Sequence, residues 1–242
     1  MSPSNNDSNL QVPKQSRAHN IWHEWRGFVL FIGIMLVFRS AIADWNQVPS
    51  GSMIPSILKG DRIVVDKLAY DLRVPFTLQR VARWSDPERS DIITFESPED
   101  GKLLVKRVIG VPGDIVVLKE NHLSVNGEPA HYSEVDRAVL PSPVVTTLDR
   151  ADVAYEEVLG STRTIMLHKQ RHAEIRASYG PVKVPAGHYL VLGDNRDNSQ
   201  DSRVIGLVSR DSILGKANKI AFSLDYDNYY LPRGNRFFRD LK

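Results

Sequence analysis

Apolar and polar positions divide the 242-residue chain into two regimes. Residues 1–20 are polar, show no apolar period and read as a disordered tail. From Gly27 to Phe38 every position is apolar or glycine, GFVLFIGIMLVF, before Arg39 interrupts and Ala41-Ile42-Ala43 follows. As a helix, residues 27–43 would span roughly 26 Å, slightly short of a hydrocarbon core of about 30 Å. Trp22 and Trp25 before the run and Trp45 after it stand where an aromatic belt would lie. Arg39 is near enough to the end to snorkel to the interface. Lys14, Arg17 and Arg26 precede the run, and no Lys or Arg occurs between Ser40 and Leu58. The positive-inside rule then puts the tail, 1–26, in the cytoplasm and the chain beyond a membrane helix at 27–44 outside. Two other readings compete. One is a buried core helix. The other is a signal peptide cut at Ala41-Ile42-Ala43, against which the long polar tail and Arg39 argue. Cleavage and anchoring alike export the remainder.

Beyond Asp44 the period changes to two, with β-branched residues. Arg62–Val65, Asp91–Phe95, Leu103–Ile109, Asp114–Leu118 and His188–Leu192 read as strands. Asn126-Gly127 is a hairpin dipeptide. Gly60-Asp61, Pro112-Gly113-Asp114 and Gly193-Asp194-Asn195 punctuate the runs. The class is mainly β: an exported antiparallel β domain, 45–127 and 185–242, tethered by one N-terminal transmembrane helix. Residues 128–184 are polar and weakly periodic, and read as an inserted, less regular, cap-like subdomain.

Composition narrows the chemistry. With 31 Lys+Arg against 29 Asp+Glu, the net charge of +2 gives no electrostatic case for binding nucleic acid. Charged residues at 25% and hydrophobic ones at 42% exclude global disorder. The absence of cysteine excludes disulfides, Cys-zinc sites, iron–sulfur clusters and a thiol nucleophile.

Pro49-Ser50-Gly51-Ser52-Met53-Ile54-Pro55 begins about five residues past Asp44, where the expected membrane helix ends. Gly51 permits a turn and the two prolines stiffen its flanks, so two hydroxyls are presented on a rigid loop, unless the segment is only a linker turn. A nucleophilic serine needs a base. None of the seven histidines has a compelling setting; among them His19 and His23 are in the tail, His122 is by a turn, and His168 and His172 are in the insertion. His188 opens a strand. A lysine serves if burial lowers its pKa from about 10.4. Lys106 fits, because alternation in a strand puts Leu104, Lys106 and Val108 on one face. It could equally snorkel at a strand edge. The segment Gly193–Arg203, GDNRDNSQDSR, packs three Asp, two Arg, two Asn and two Ser into eleven residues. It can be a solvated loop, a calcium loop lacking EF-hand spacing, or a brace of charge-assisted hydrogen bonds.

Together these segments resemble the bacterial type I signal peptidases, the membrane-bound Ser/Lys proteases. PSGSMIP matches the serine box, GDRIVVDK the strand after it, KRVIGVPGD the lysine box and GDNRDNSQDSR the acidic box. GKANKIAFS resembles the segment that follows. The resemblance covers residues 27–127 and 185–223. It implies Ser52 as nucleophile, Lys106 as general base, and the Ser50 hydroxyl with the Ser52 amide as oxyanion hole. It implies that Ser199 hydrogen-bonds and orients the lysine, that Asp194 and Arg107 pair, that Asp201 and Arg203 form a brace, and that Val48 and Val105 line small-residue pockets. Leu104 departs from the aromatic residue of some members, and one membrane segment is visible where some have two.

The implied reaction is removal of N-terminal signal peptides after Ala-x-Ala, without metal or cofactor. The substrates are exported preproteins delivered by the secretion translocon. The place is the inner (cytoplasmic) membrane, with the catalytic domain on its outer, periplasmic or extracellular, face against the lipid bilayer. The aromatic and Arg-rich run from Tyr226 to Phe238 would help seat the domain on headgroups. A narrower Ser/Lys maturation protease, for one secretion-system or pilus protein, shares these residues. So would a non-catalytic exported binding module, by coincidence. A self-cleaving repressor would need a DNA-binding domain where the apolar run stands.

Overall fold

The apolar run and the β-branched runs segregate into one long helix and a set of antiparallel sheets. The computed structural model describes residues 17–41, 43–77, 79–169 and 177–241. Most of the tail, Ile42 of Ala41-Ile42-Ala43, and His172 lie outside the described residues. Helix α1 is Arg17–Ala41. From Phe28 to Val37 its large apolar side chains are 40–64% exposed on every face. No helix among the described residues is long and apolar enough to cross a membrane. Glu24, Arg26 and Arg39 confine the uninterrupted run, about 18 Å at helical rise. Arg39 is ion-paired at the helix end: its Nε donates to Asp44 Oδ1 at 2.9 Å, and the guanidinium stands over the Trp45 ring. Lys67 Nζ donates to the carbonyls of Arg39 and Ser40, tying α1 to the β domain.

In chain order the strands are β1 (Ala43–Gln47), β2 (Asp61–Asp66), β3 (Asp71–Arg73), β4 (Arg80–Arg83), β5 (Ile92–Glu96), β6 (Leu103–Gly110), β7 (Ile115–Lys119) and β8 (His122–Val125). Then come β9 (Glu128–Pro129), β10 (His131–Glu134), β11 (Ala151–Val158), β12 (Ser161–His168), β13 (Tyr179–Lys183), β14 (His188–Leu192), β15 (Val208–Ser209) and β16 (Ile213–Asp225). The main sheet runs β1-β2-β16-β5-β6-β14-β15, and every named pair is antiparallel. All five strands expected from period-two patterning are present. The thirteen-residue β16 lies beside β2 and β5, and polar residues interrupt its apolar alternation (ILGKANKIAFSLD), which hides it from pattern reading.

A second sheet, β13-β7-β8-β9, closes through Asn126-Gly127. Both turn residues have positive φ, 56° and 84°, as a two-residue type I′ hairpin requires. The stretch 128–184 is more regular than its weak period suggests. It holds a third sheet, β10-β11-β12, in which two eight-residue strands meet at Leu159-Gly160. Its last strand, β13, pairs with β7 of the core. The apolar signal is weak here because β11 and β12 bury charged residues among few apolar ones.

Four apolar clusters fill the sheets, and two of them position the site. One joins Val48, Met53 and Ile57 to Ile63, Val65 and Ile92. Another packs Leu58, next along the same loop, against Val144, Ala151 and Met166 of the 128–184 stretch. At the C-terminus, Tyr229, Tyr230, Phe237 and Phe238 are exposed, but Arg236 is not available to headgroups. It is buried, with its Nε 3.1 Å from Asp61 Oδ1. Arg233 is likewise bonded, to Asp225 and to backbone carbonyls.

Candidate active site

The loop between β1 and β2 carries Ser50 and Ser52. Buried Met53, Ile57 and Leu58 anchor it in two apolar clusters. The Leu58 N–H donates to the buried carboxylate of Asp61 at 2.8 Å. At its exit Gly60 has φ +94°, and a Cβ there would lie 2.0 Å from the Leu224 carbonyl, so only glycine fits. The anchoring leaves Ser50 exposed and Ser52 8% exposed, with their Oγ atoms 3.3 Å apart.

Lys106 is on β6, paired with Ile93 of β5. Its same-face neighbours Leu104 and Val108 pack with Ile93, Phe95 and Val191. The lysine is therefore buried, not snorkelled, at 2% exposure. Nζ donates to Ser52 Oγ at 3.0 Å and to the Val105 carbonyl at 3.0 Å. Burial disfavours the ammonium and pushes its pKa down to about 8, against the attraction of the Asp201 and Asp194 carboxylates. A hydroxyl and a weakly basic amine thus meet across 54 residues of sequence. When neutral, that amine can take the hydroxyl proton. Among the described residues no histidine hydrogen-bonds Ser52.

The segment 193–203 is a brace and not a solvated loop: Asp194, Arg196, Asp197, Asp201 and Arg203 are all buried. Gly193 allows its close approach, since a Cβ there would lie 2.2 Å from Ser199 Oγ and 2.5 Å from the Ser52 carbonyl oxygen. Arg107, one residue from the lysine, makes two parallel bonds to Asp194, both 2.8 Å. Arg203 makes two to Asp201, at 2.9 and 2.8 Å. Asp201 also accepts the Gly193 N–H at 3.0 Å and caps the four-residue helix α2 (Ser202–Ile205).

Val48 is buried in one cluster, with half-buried Val105 packed against it. Ser199 departs from expectation. It is buried, but its hydroxyl has no hydrogen-bond partner among the described residues, and Lys106 donates to Ser52 and Val105 instead. Its side chain is packed close against Gly193.

Sequence reasoning missed a second buried cluster. Glu156 on β11 accepts from Arg163 Nε at 2.7 Å, from Arg196 Nη1 at 2.8 Å and from the Tyr132 hydroxyl at 2.8 Å. Burial alone would raise the Glu156 pKa, but the charges of Arg196 and Arg163 outweigh it and hold the carboxylate at about 2. Asp197 accepts from Asn121 Nδ2 and from the His168 N–H, both at 3.0 Å. Asn195 N–H donates to the Ser52 carbonyl and Asn195 Nδ2 to the Gly51 carbonyl, each at 3.0 Å. Asn195, Arg196 and Asp197 stand inside the acidic segment, whose composition left a brace open beside a solvated loop. Nothing in the pattern of 128–184 pointed to Glu156 or Arg163.

Comparison with known proteins places the chain in a family. A family model described as signal peptidase, peptidase S26, matches residues 22–222. Signal peptidase I of Pseudomonas fluorescens is 37% identical, over 79% of this chain and 69% of its own length. That of Pseudomonas aeruginosa is 36% identical over the same shares. Signal peptidase I of Buchnera aphidicola from Acyrthosiphon pisum is 29% identical over 97% of this chain and 86% of its own.

Proposed function

The chain belongs to the signal peptidase family, peptidase S26, and is a serine protease that removes signal peptides from preproteins; on that premise we propose that Ser52 is its nucleophile and Lys106 its general base. The observation that carries this reading is the 3.0 Å contact between Ser52 Oγ and the buried Lys106 amine. Neutral Lys106 removes the Ser52 proton as the hydroxyl attacks the scissile carbonyl. The oxyanion is held by the Ser50 hydroxyl and the Ser52 N–H, donors of a kind worth roughly 3–4 kcal/mol each in other proteases. The ammonium so formed returns its proton to the leaving amine. Water, deprotonated by the same lysine, then cleaves the ester. Asp194 with Arg107, and Asp201 with Arg203, fix the strand and loop that hold the lysine. Ser199 stands in reserve beside Gly193 as a hydroxyl able to orient Lys106 once the Ser52 contact breaks.

Cleavage follows Ala-x-Ala, with Val48 and Val105 bounding shallow apolar subsites that admit small side chains. The 27–44 segment anchors the enzyme in the inner membrane, its tail (1–26) in the cytoplasm and its β domain on the outer face. The uniformly exposed apolar surface of α1, the flanking Trp25 and Trp45, and the charge asymmetry support this reading. The exposed aromatic residues near the C-terminus would touch the bilayer, and substrates would arrive from the secretion translocon. The test is cleavage of an Ala-x-Ala preprotein by the detergent-solubilised full chain. Wild type should cut once, after the second Ala, while Ser52→Ala and Lys106→Ala should not cut. Activity surviving either substitution would refute the assignment.

A further inference from the structure

One residue that the proposed reaction does not use grips both peptide groups of the nucleophile. Asn195 is 2% exposed, and it donates its backbone N–H to the Ser52 carbonyl and its side-chain Nδ2 to the Gly51 carbonyl, each at 3.0 Å. In a trans peptide the carbonyl and the N–H of one unit point in opposite directions. The Gly51 carbonyl shares its unit with the Ser52 N–H. Drawing that oxygen onto Asn195 therefore turns the Ser52 N–H away from Asn195. That N–H has no acceptor among the described residues. It is free to receive a developing negative charge, and the Ser50 hydroxyl lies beside the nucleophile, 3.3 Å from Ser52 Oγ.

The amide can serve in only one orientation. Asn195 Oδ1 is buried without a hydrogen-bond partner among the described residues, so none of them holds the side chain by its oxygen. Rotating the amide by half a turn would set two oxygens against each other at Gly51. Asn195 is itself clamped on both sides by β12. Met166 N–H donates to the Asp194 carbonyl at 2.8 Å, and Arg196 N–H donates to the Met166 carbonyl at 2.9 Å. Glu156 on β11, paired with β12, holds the Arg196 side chain.

We infer that Asn195 is the positioning residue of the oxyanion hole, aiming the Ser52 N–H through the Gly51 carbonyl, and that the β11–β12 hairpin is its outer support. The inference rests on the Ser52–Lys106 reading. It gives the 128–184 stretch a place in catalysis without a residue of its own at the reacting atoms.

The experiment uses the full chain in detergent, with Asn195→Ala and Asn195→Asp. Both keep the backbone bond and lose the Nδ2 donor. Each is assayed on an Ala-x-Ala peptide, and for binding of a peptide aldehyde, which forms a tetrahedral adduct with a serine, and of the matching peptide amide, which does not. The expected result is a fall in kcat of about 10²-fold, the size of loss a misplaced catalytic group gives. KM should stay within about twofold. Aldehyde affinity should fall with kcat, amide affinity should hold, and the midpoint of the pH–rate limb should not move. A merely structural role would instead weaken aldehyde and amide alike, or lower the active fraction in step with melting temperature. Either of those outcomes, or an unchanged kcat, overturns the inference. If Asn195→Ala does not fold, the near-isosteric Asn195→Asp carries the same test. Ser52→Ala and Lys106→Ala run in parallel. Activity in either of them sinks the dyad itself, whereas two inert dyad variants beside fully active Asn195 variants sink only the positioning role.

Discussion

Replacing Lys106 with Met should abolish activity and make the protein more stable at neutral pH. The side chains are both long and unbranched, so packing changes little, by less than about 1.5 kcal/mol and independently of pH. The ionisation changes much. Burial lowers the Lys106 pKa from 10.5 to about 8. The gap corresponds to roughly 3 kcal/mol of folding free energy. Its sign follows from proton counting. Below pH 8 the lysine is charged in both folded and unfolded chains, and the folded state carries the full cost of a buried ammonium. Between 8 and 10.5 the unfolded chain binds the extra proton, so wild-type stability rises with pH relative to Met. Above 10.5 both states are neutral and the cost is gone. Urea unfolding of the full chains in detergent, followed by circular dichroism, measures the difference at pH 7 and at pH 11. The advantage of Lys106→Met should be larger at pH 7 by about 3 kcal/mol. An advantage that does not change with pH, or no difference at all, would refute the burial argument.

Further outcomes follow from the surrounding groups. Ser50→Ala should lower kcat by about 10²-fold with little change in KM, as loss of one oxyanion donor does elsewhere; steady-state cleavage of an Ala-x-Ala peptide checks it. Asp194→Asn leaves the fully buried Arg107 without a counter-charge and should cost roughly 3–5 kcal/mol in urea unfolding. The double variant Asp194→Leu with Arg107→Met should recover much of that loss. Glu156, held at about 2, gives stability that is fully present above its ordinary value of 4.5 and is lost as pH falls toward 2. Glu156→Gln should therefore be less stable than wild type at pH 7, and the gap should narrow in melts taken between pH 4.5 and 2.

Local signals made the serine loop and Lys106 candidates, and the family resemblance supplied their pairing. The serines sit between prolines and glycine on a stiff loop, and period-two alternation puts Lys106 on one face with Leu104 and Val108, a face that the structure buries. The acidic pairs could be named only through the family resemblance, since five charged residues in one segment suit a solvated loop equally well. Asn195 could not be singled out, because its role lies in bonds to two backbone carbonyls, Gly51 being 144 residues away. Backbone acceptors leave no trace in side-chain pattern. Glu156 and Arg163 were hidden for a related reason. Charges that compensate one another inside a sheet look in sequence like an exposed polar face. Arg236 shows the same confusion at the C-terminus, where an apparent headgroup ligand is buried against Asp61.

The measurement closest to the central claim is the pH dependence of kcat/KM for preprotein cleavage by the full chain, alongside Lys106→Arg. A neutral lysine base predicts a rate that climbs tenfold per pH unit and levels off above about 8. Lys106→Arg should be inert at every pH, because arginine keeps its charge and cannot accept the Ser52 proton. A limb centred near 6.5, as a histidine base gives, or turnover by Lys106→Arg, would contradict the account.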